Sequence, residues 1–436
     1  MIAVPLPAIP DLVALHATRP AHYPYLLHTG GGYAGWDILF AHPRVTHVFA
    51  AHESGVLDAL RATWYAEGGV ANPPNHLPFT GGWFVYLGYE VLEEIEPRVS
   101  PRSGCSAFPK AVLSRVPAAL LVDQANVQAW LVAETQEARE AIEADLAAPV
   151  AWQPRALAAQ WVAEEEPEIF LKGVGRILRY IREGDVFQVN LARRWWAALN
   201  GNTGPADLFA ALARHNPAPF AGSAVFGSQA IVSSSPERLV RVRDGLVETR
   251  PIAGTRPRAA DPQADLALRR ELLATVKERA EHIMLVDLER NDLGRVCVPG
   301  SVEVPALLEL TSYAHVHHLE STVRGRLRPG VDPVAVVRAL FPGGTITGCP
   351  KVRCMQIIRE LENAPRQAYT GSMGYLNRDG SLDLNILIRS FMVRGAELEF
   401  WAGAGIVADS IPERELAETR AKARGLLRAL SPPKAP

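Results

Sequence analysis

Short apolar runs separated by turn residues dominate the first 150 residues and predict a mainly β region. The most continuous run extends from Trp83 to Tyr89, and others follow at 111–113, 119–122 and 129–132. Apolar runs of this length, bounded by turn residues, are typical of buried strands. We therefore expect several short strands in this part of the chain.

The pattern changes after residue 135. A polar segment rich in alanine and glutamate over 135–147 predicts a helix, and the loosely patterned stretch behind it ends at the acidic run Glu164-Glu165-Glu166. Chains commonly divide into domains at such exposed, weakly patterned segments. We therefore predict two regions, 1–150 and 165–431.

Helices and strands are mixed in the second region. Apolar residues recur at helical spacing from Phe170 to Ile181, and Gly184 is placed to end that helix. Strand-like runs follow, including 386–393, and Asp379-Gly380 is a turn signal of the hairpin type. Because the long helices do not alternate regularly with the strands, we predict an α+β fold of antiparallel sheets with flanking helices.

The composition excludes several classes of protein. The 436 residues carry a formal net charge of −2, which argues against nucleic acid or an anionic membrane as the main partner. No window approaches the roughly 20 apolar residues of a membrane helix, and the N-terminus lacks the features of a signal peptide. Four cysteines without metal-ligand spacing fit a reducing compartment, so we expect a cytoplasmic protein.

Two pairs of glutamates are candidate metal ligands. Glu278 and Glu281 lie three residues apart on one predicted helix, and Glu415 and Glu418 lie three apart on a helix that the capping-box sequence at 410–413 predicts. Such pairs usually form only a solvated helix face. If the two helices converge, one glutamate from each could hold Mg²⁺ and leave coordination positions for substrate oxygens.

A glycine-rich strand and nearby polar residues predict an anion site. The segment Gly403-Ala404-Gly405 would let a carboxylate approach the backbone amides, although a tight bend explains it equally well. Arg389 and Tyr369 precede this strand, and an arginine fork matches a carboxylate. Several further arginines surround the Gly254-Thr255 turn, which also suits an anionic substrate.

Two other motifs do not support a function of their own. Gly343 and Gly348 have the spacing of a phosphate loop, but Cys349-Pro350 stands where lysine and serine or threonine are required, so nucleotide binding is excluded. His315 and His317 would share a face of a strand without a third ligand nearby. We therefore expect one catalytic or packed histidine there and no zinc site.

From about residue 168 to residue 430 the sequence resembles the chorismate-utilising enzymes, the family of anthranilate, aminodeoxychorismate and isochorismate synthases. The resemblance implies two large antiparallel β-sheets packed face to face with helices on the outer faces, and the 1–150 region resembles the family's more divergent N-terminal part. Six separated motifs carry it in the family's order: Phe187-Gln188-Val189-Asn190-Leu191, Ser235-Pro236-Glu237-Arg238, Pro251-Ile252-Ala253-Gly254-Thr255, His317-His318, Gly344-Thr345 to Lys351, and Gly403 to Val407 with Glu418.

The same resemblance implies a magnesium site. By motif, Glu281 and Glu418 correspond to the Mg²⁺ ligands, with Glu278 and Glu415 behind them. Mg²⁺ bound to the ring carboxylate makes the diene of chorismate an electron sink, so that a nucleophile adds at C2 while the C4 hydroxyl leaves.

It also implies roles for residues around the substrate. Glu237 corresponds to the general acid that protonates the departing 4-hydroxyl, and His318 to the base that faces the ring. Contacts to the carboxylates and the pyruvyl group are implied for nine residues: Thr249, Gly254, Thr345, Tyr369, Arg389, Gly403, Ala404, Gly405 and Lys422.

Particular positions indicate a branch of the family. Gln188 stands where isochorismate and salicylate synthases carry a lysine base; glutamine cannot activate water, so we expect ammonia as the nucleophile. Ala253 is the residue of anthranilate synthases, whereas aminodeoxychorismate synthases often have a covalent lysine there. The 188–193, 316–319 and 343–348 runs look more like the aminodeoxychorismate side, which we therefore predict.

The N-terminal region adds to that prediction. Leu26-Leu27-His28-Thr29 departs from the Leu-Leu-Glu-Ser of tryptophan-regulated anthranilate synthases. The chain also has no nucleophile-elbow cysteine with a partner histidine for glutamine hydrolysis, so a separate glutamine amidotransferase subunit, or free ammonia, is expected to supply the nitrogen. Two alternatives stay open: an anthranilate synthase component I, and a non-catalytic subunit that binds chorismate or tryptophan.

Overall fold

The computed structural model describes residues 1–68, 76–99, 108–148, 150–201, 203–274, 276–312 and 316–430, without the side chains of residues 253 and 276–278. Three residues considered above are affected. The side chains of Ala253 and Glu278, and the whole of His315, lie outside the described part.

The described residues form 22 strands. In chain order they are β1 (Ile2–Pro5), β2 (Tyr25–His28), β3 (Trp36–Ala41), β4 (Val45–Phe49), β5 (Gly82–Leu87), β6 (Ala111–Val116), β7 (Ala118–Asp123), β8 (Gln128–Ala133), β9 (Ala159–Glu164), β10 (Gln188–Leu199), β11 (Phe220–Phe226), β12 (Gln229–Ser235), β13 (Arg238–Arg243), β14 (Leu246–Thr249), β15 (Ile252–Pro257), β16 (Glu303–Ser312), β17 (Val316–Arg326), β18 (Gly348–Cys349), β19 (Ser372–Asn377), β20 (Leu382–Asn385), β21 (Ser390–Arg394) and β22 (Glu397–Ile406).

Eleven α-helices accompany these strands in the described part of the chain. They are α1 (Leu12–Thr18), α2 (Val56–Glu67), α3 (Leu92–Ile95), α4 (Gln136–Ala147), α5 (Pro167–Arg182), α6 (Pro205–His215), α7 (Pro262–Ala274), α8 (Val276–Gly294), α9 (Pro333–Leu340), α10 (Lys351–Leu361) and α11 (Pro412–Ala429). No described helix combines the length and the apolar character that crossing a membrane requires.

The strands form two antiparallel sheets. The first has twelve strands in the order β1-β8-β7-β3-β2-β11-β12-β21-β22-β10-β18, with β9 also paired to β10. The second has ten in the order β15-β17-β14-β13-β20-β19-β5-β6-β4, with β16 also paired to β17.

The inner faces of the two sheets pack against each other. Their shared core is rich in aromatic residues; Tyr25 of the first sheet stacks on Phe84 of the second with ring centroids 4.0 Å apart. Helices α1, α4, α6 and α11 cover the outer face of the first sheet, and α2, α8 and α9 cover that of the second. The predicted fold, two face-to-face antiparallel sheets with helices outside, is confirmed.

Both predicted regions contribute to both sheets. In the first sheet β2 pairs with β11, and in the second β5 pairs with β19. Residues 1–150 therefore share their sheets with the rest of the chain, and a division near residue 165 stays a prediction.

Two helix ends differ in how far they match the predicted signals. Gly184 follows α5, as predicted, and has a φ of +82°. Glycine adopts this left-handed conformation, which commonly ends a helix, without steric cost. The predicted capping box before α11 is wrong, because Ile411 occupies the N-cap position. The Ser410 hydroxyl instead accepts a hydrogen bond from the Val407 amide at 3.0 Å.

Candidate active site

The centre of the site is the glycine-rich part of β22. Gly405 lies opposite Asn190 on the adjacent strand β10. A Cβ atom built on Gly405 would lie 2.4 Å from Nε2 of Gln188 and 3.1 Å from Oε1 of Glu281. Any side chain at this position would displace the polar groups of two predicted site residues, so glycine is required by their close approach.

Gln188 and Glu281 are joined by a hydrogen bond. Nε2 of Gln188 donates to Oε1 of Glu281 at 2.8 Å, which brings α8 against β10. A carboxylate only accepts hydrogen bonds, so the orientation of the amide is fixed by its partner. The amide oxygen of Gln188 is buried and has no hydrogen-bond partner in the described part of the structure. A buried acceptor of this kind is suited to an N–H donor from a ligand.

Gly403 brings a second group of residues together. A Cβ atom there would lie 2.6 Å from Oδ1 of Asn190 and 2.9 Å from the hydroxyl of Tyr369. On the α11 side, Nζ of Lys422 donates to the carbonyl of Gly403 at 3.0 Å and pairs with Glu418 at 2.8 Å. The predicted residues of α11 and of the glycine strand are therefore adjacent, and Ala404 is buried between the two glycines.

The predicted metal ligands lie on two helices that approach the same strand. Glu281 of α8 is beside Gly405, and Glu418 of α11 is linked through Lys422 to Gly403. Glu415 is buried on α11. No three of the described carboxylates here have oxygens within 4.8 Å of one another. Mg²⁺ needs only one or two protein carboxylates besides substrate oxygens and water, so Glu281 and Glu418 suit it by donor type.

Glu237 is a buried carboxylic acid between the two sheets. Burial raises its pKa to about 7, and the Thr345 hydroxyl and the positive charges of Lys422 and Arg389 oppose this only in part. Its backbone amide donates to the Ser235 hydroxyl at 3.2 Å, which fixes the position of the residue after β12. A carboxyl group that keeps its proton near neutral pH is able to act as a general acid.

His318 on β17 lies near the same arginine. Its Nδ1 is 2.8 Å from the Thr255 hydroxyl. Burial lowers its pKa to about 4, helped by the charge of Arg389, while a hydrogen bond with the Gly254 backbone acts in the opposite direction. The imidazole is therefore neutral at pH 7, the form that can accept a proton.

His317 has a structural environment. Its Nε2 lies 2.9 Å from Oδ1 of Asp265, and its Nδ1 lies 2.8 Å from the Ser312 hydroxyl. Both ring nitrogens therefore have protein partners, and the predicted alternative of a packed histidine describes His317.

The structure adds a second buried carboxyl group that the sequence did not indicate. Glu289 of α8 is buried beside the Thr249 hydroxyl, and its pKa is raised to about 7 by burial and by the charges of Asp292 and Glu237, against the effect of Lys351. It lies three residues before Asp292, the spacing of the two glutamate pairs. This spacing alone does not indicate a buried site, because acidic residues on a polar helix are usually exposed.

A buried arginine supports the site from behind. Arg366 pairs with Glu362 at 2.6 Å and donates to the carbonyl oxygens of Asn190 at 2.8 Å and Ile346 at 3.0 Å. Its guanidinium also lies 5.5 Å from the ring centre of Tyr369. In the sequence, Glu362 and Arg366 have the i,i+4 spacing of an ordinary surface ion pair, so the sequence does not indicate that they are buried in the core.

A cavity of about 550 Å³ lies between the sheets. His318 lines it together with Leu27, His28, Tyr33 and Met373. The N-terminal segment that departs from the tryptophan-regulated pattern therefore lines the same cavity as a predicted catalytic residue. Nδ1 of His28 lies 3.0 Å from Oδ2 of Asp37.

Comparisons with known proteins agree with this architecture. A family model described as chorismate binding enzyme matches residues 24–428. The anthranilate synthase component I-like protein of Synechocystis sp. is 42% identical over 361 residues, which cover 82% of this chain and 74% of the relative. The aminodeoxychorismate synthase component 1 of Salmonella typhimurium is 36% identical over 446 residues, 98% of each chain.

A solved structure has the same fold. The crystal structure of anthranilate synthase component I from Streptococcus pneumoniae matches with a TM-score of 0.78 at 31% identity, over 90% of this chain and 92% of that one. The long family match and the identity to these relatives, together with the motifs gathered around β22, show that the chain belongs to the chorismate-binding enzyme family.

Proposed function

We propose that this enzyme converts chorismate and ammonia into 4-amino-4-deoxychorismate, as component I of an aminodeoxychorismate synthase in p-aminobenzoate and folate biosynthesis. The correspondence with the Salmonella protein supports this choice, because it covers 98% of both chains. The match to the Synechocystis relative covers 74% of that protein, although its identity is higher. The Leu27-His28-Thr29 segment supports the same choice, since it lacks the glutamate and serine of tryptophan-regulated anthranilate synthases.

The observation that carries the choice of nucleophile is the orientation of Gln188. Its NH₂ group donates a hydrogen bond to Glu281, and its oxygen is a buried acceptor without a partner in the described structure. An amide oxygen is too weak a base to take a proton from water, but it can accept a hydrogen bond from ammonia. The position that holds a lysine base in the water-using members of the family thus suits ammonia here.

Glu237 supplies the proton for the leaving group. Ammonia forms a bond to C2, the ring double bonds shift, and the C4–O bond breaks as Glu237 protonates the departing oxygen to water. The added nitrogen then loses one proton. His318, neutral at pH 7, is the group that can accept a proton beside the ring.

A second addition completes the reaction. Because the side chain of alanine cannot attack C2, no covalent adduct forms at Ala253. A second ammonia instead forms the C4–N bond, the double bonds return, and the C2 amine leaves as ammonia. The net change is replacement of the C4 hydroxyl by an amino group with release of water. The intermediate is free 2-amino-2-deoxyisochorismate, bound without a covalent link to the protein.

Mg²⁺ is the proposed cofactor, held by Glu281 and Glu418 with Glu278 and Glu415 behind them. When bound, it would withdraw electrons from the ring through the substrate carboxylate. The residues around it bind and orient the substrate: Thr345, Tyr369, Arg389, Lys422, Thr249 and the backbone of Gly254, Gly403, Ala404 and Gly405 are the proposed contacts.

A glutamine amidotransferase is the proposed partner. The Salmonella relative is a component 1 and the Synechocystis relative a component I-like protein, names that imply a second component. In its absence the enzyme is expected to use free ammonia.

Anthranilate synthesis is the second candidate function. It is favoured by Ala253, the residue of anthranilate synthases at this position, and by the 42% identity to the Synechocystis protein. The two reactions share the 2-amino intermediate, which yields anthranilate when it loses pyruvate.

The proposal is tested by turnover of chorismate with ammonium chloride and Mg²⁺. Chorismate consumption should require both ammonium and Mg²⁺ and should stop when EDTA is added. Glu281→Gln and Glu418→Gln should each abolish most of the chorismate consumption while the circular dichroism spectrum stays unchanged. Quenched reactions should contain the free 2-amino intermediate and protein of unmodified mass. Full activity in EDTA would overturn the metal assignment, and an adduct on a lysine such as Lys351 would overturn the noncovalent route.

A further inference from the structure

A cluster of two histidines and an aspartate lies on the outer side of the first sheet, away from the residues discussed above. His22 follows α1, His42 follows β3, and Asp145 is in the last turn of α4. Nδ1 of His22 lies 3.1 Å and Nε2 of His42 lies 3.2 Å from the same oxygen, Oδ2 of Asp145. We propose that these three side chains form a binding site for a divalent transition-metal ion of the zinc type.

The ligand atoms converge as such a site requires. They all lie within 4.8 Å of one another, and this is the only such group of three among the residues that the structure describes. Two ligands held about 2.0–2.2 Å from one zinc ion are roughly 3–3.5 Å apart, so the observed spacings leave room for an ion between the rings and the carboxylate. Two imidazoles and one carboxylate are also a common set of three protein ligands for zinc, with water in the fourth position.

His42 provides an independent indication. Its Nε2 atom is buried and makes no hydrogen bond of acceptable geometry in the described structure, although Asp145 is only 3.2 Å away. Its backbone has a φ of +51°, which is uncommon for a residue with a side chain, and its amide donates to the carbonyl of His22 at 2.7 Å. This backbone conformation places the ring centroids of His22 and His42 4.7 Å apart. A metal ion would satisfy the buried nitrogen.

The surroundings orient the carboxylate and leave a route for entry. The Tyr23 hydroxyl donates to Oδ2 of Asp145 at 2.9 Å, and Arg19 lies 3.4 Å from the other oxygen. The positive charge of Arg19 weakens cation binding but leaves Oδ2 directed at the rings. The His22 side chain is 50% exposed, so the metal can reach the site from solvent.

Occupancy of this site would connect α1, β3 and α4 on one side of the sheet. These elements pack in the same core cluster, so the bound ion would cross-link them and stabilise the N-terminal part of the chain. Because none of the three ligands belongs to the proposed catalytic set, the inference does not depend on the proposed function. It predicts that zinc stabilises the protein in the absence of chorismate.

The test uses untagged, full-length protein that is treated with EDTA and then exchanged into buffer with saturating Mg²⁺. The Mg²⁺ is added to fill the proposed magnesium site at Glu281 and Glu418 before zinc is titrated. Titration calorimetry with Zn²⁺ alone should show one equivalent bound, with a higher thermal unfolding temperature. His22→Ala and His42→Asn should each weaken Zn²⁺ binding at least about 10-fold. Asparagine tolerates the left-handed backbone at position 42, and His22 is exposed, so both variants are expected to fold.

Two controls separate this site from other zinc ligands. His47→Ala, which removes an exposed histidine elsewhere, should leave the affinity unchanged. The Co²⁺-substituted protein should lack the intense near-ultraviolet bands of a thiolate ligand, which excludes binding by the cysteines. Absence of one saturable equivalent, or equal affinity in the wild type and both histidine variants, would overturn the proposal.

Discussion

Nε2 of Gln188, which stands where isochorismate and salicylate synthases carry a lysine base, donates a hydrogen bond to Oε1 of the proposed metal ligand Glu281 at 2.8 Å. The hydrogen bond leaves the glutamine oxygen as a buried acceptor and positions α8 against the glycine strand of β22. In the proposed mechanism, this one contact therefore couples the choice of nucleophile to the metal site.

Removing this acceptor should weaken the use of ammonia. In Gln188→Met the side chain keeps a similar length but loses both polar atoms. A lost buried hydrogen bond costs about 1–3 kcal/mol, so the KM for ammonia should rise roughly 5- to 150-fold. Initial rates at varied ammonium concentration measure this. Gln136→Met, an exposed position on α4, should behave like the wild type; an unchanged KM for ammonia in Gln188→Met would contradict the assigned role.

Glu237 should give the reaction its alkaline limit. Its pKa is raised to about 7, and the acid acts only in its protonated form, so kcat at constant free ammonia should fall as the pH rises through about 7. Glu237→Gln should slow turnover on the order of 10²–10⁴-fold with little change in chorismate affinity. A variant with near wild-type turnover, or a wild-type rate that does not decrease above pH 7, would exclude this residue as the acid.

Glu289 should make stability depend on pH. The pKa of Glu289 is raised from 4.5 to about 7 in the folded protein. The stabilisation of the folded state by the protonated carboxyl group is therefore fully present below about pH 4.5 and is lost as the pH rises through 7. Glu289→Gln removes this titration. Relative to the variant, the wild type should lose more than about 1 kcal/mol of unfolding free energy between about pH 5 and 8.

Urea denaturation at both pH values measures this difference. Glu137→Gln on the exposed side of α4 is the matched control and should follow the wild type. Parallel pH profiles for wild type and Glu289→Gln would show that Glu289 ionises normally in the folded state.

Gly405 should not tolerate a methyl group. The new Cβ of Gly405→Ala would lie 2.4 Å from the Gln188 amide and 3.1 Å from Glu281, so both side chains must shift. We expect turnover to fall at least about 100-fold, the scale of a displacement of roughly 1 Å in a catalytic site. Gly175→Ala on α5, where the Cβ meets no atom within 4 Å, should keep full activity. Equal activity of the two variants would argue against a tightly packed site at β22.

The sequence predicts the part of this site that lies in contiguous motifs. The glycine strand and the two glutamate pairs are recognisable because their residue types recur at short spacing, whereas Glu237 is recognisable only through the family motif at 235–238. Glu289 and Arg366 were not recognised, since the burial of a charged side chain depends on distant elements that pack over it. Local pattern gave no information on those contacts.

The fold was predictable to a similar extent. Short apolar runs, turn signals and the irregular placement of the helices indicate antiparallel sheets. The strands expected at 111–113, 119–122 and 129–132 are present as β6, β7 and β8. The strand predicted at 386–393 is only partly correct, because β21 starts at Ser390. Arg389 has a φ of +52°, which is outside the strand region, so the apolar run before it is not part of β21.

The most direct test is identification of the product. Chorismate should be incubated with the enzyme, Mg²⁺ and ¹⁵N-labelled ammonium, and the products separated and weighed by mass spectrometry with pyruvate assayed in parallel. We predict 4-amino-4-deoxychorismate that carries one ¹⁵N atom and keeps the pyruvyl group, without release of pyruvate. Formation of ¹⁵N-anthranilate with stoichiometric pyruvate would contradict the proposed function and assign the enzyme to anthranilate synthesis.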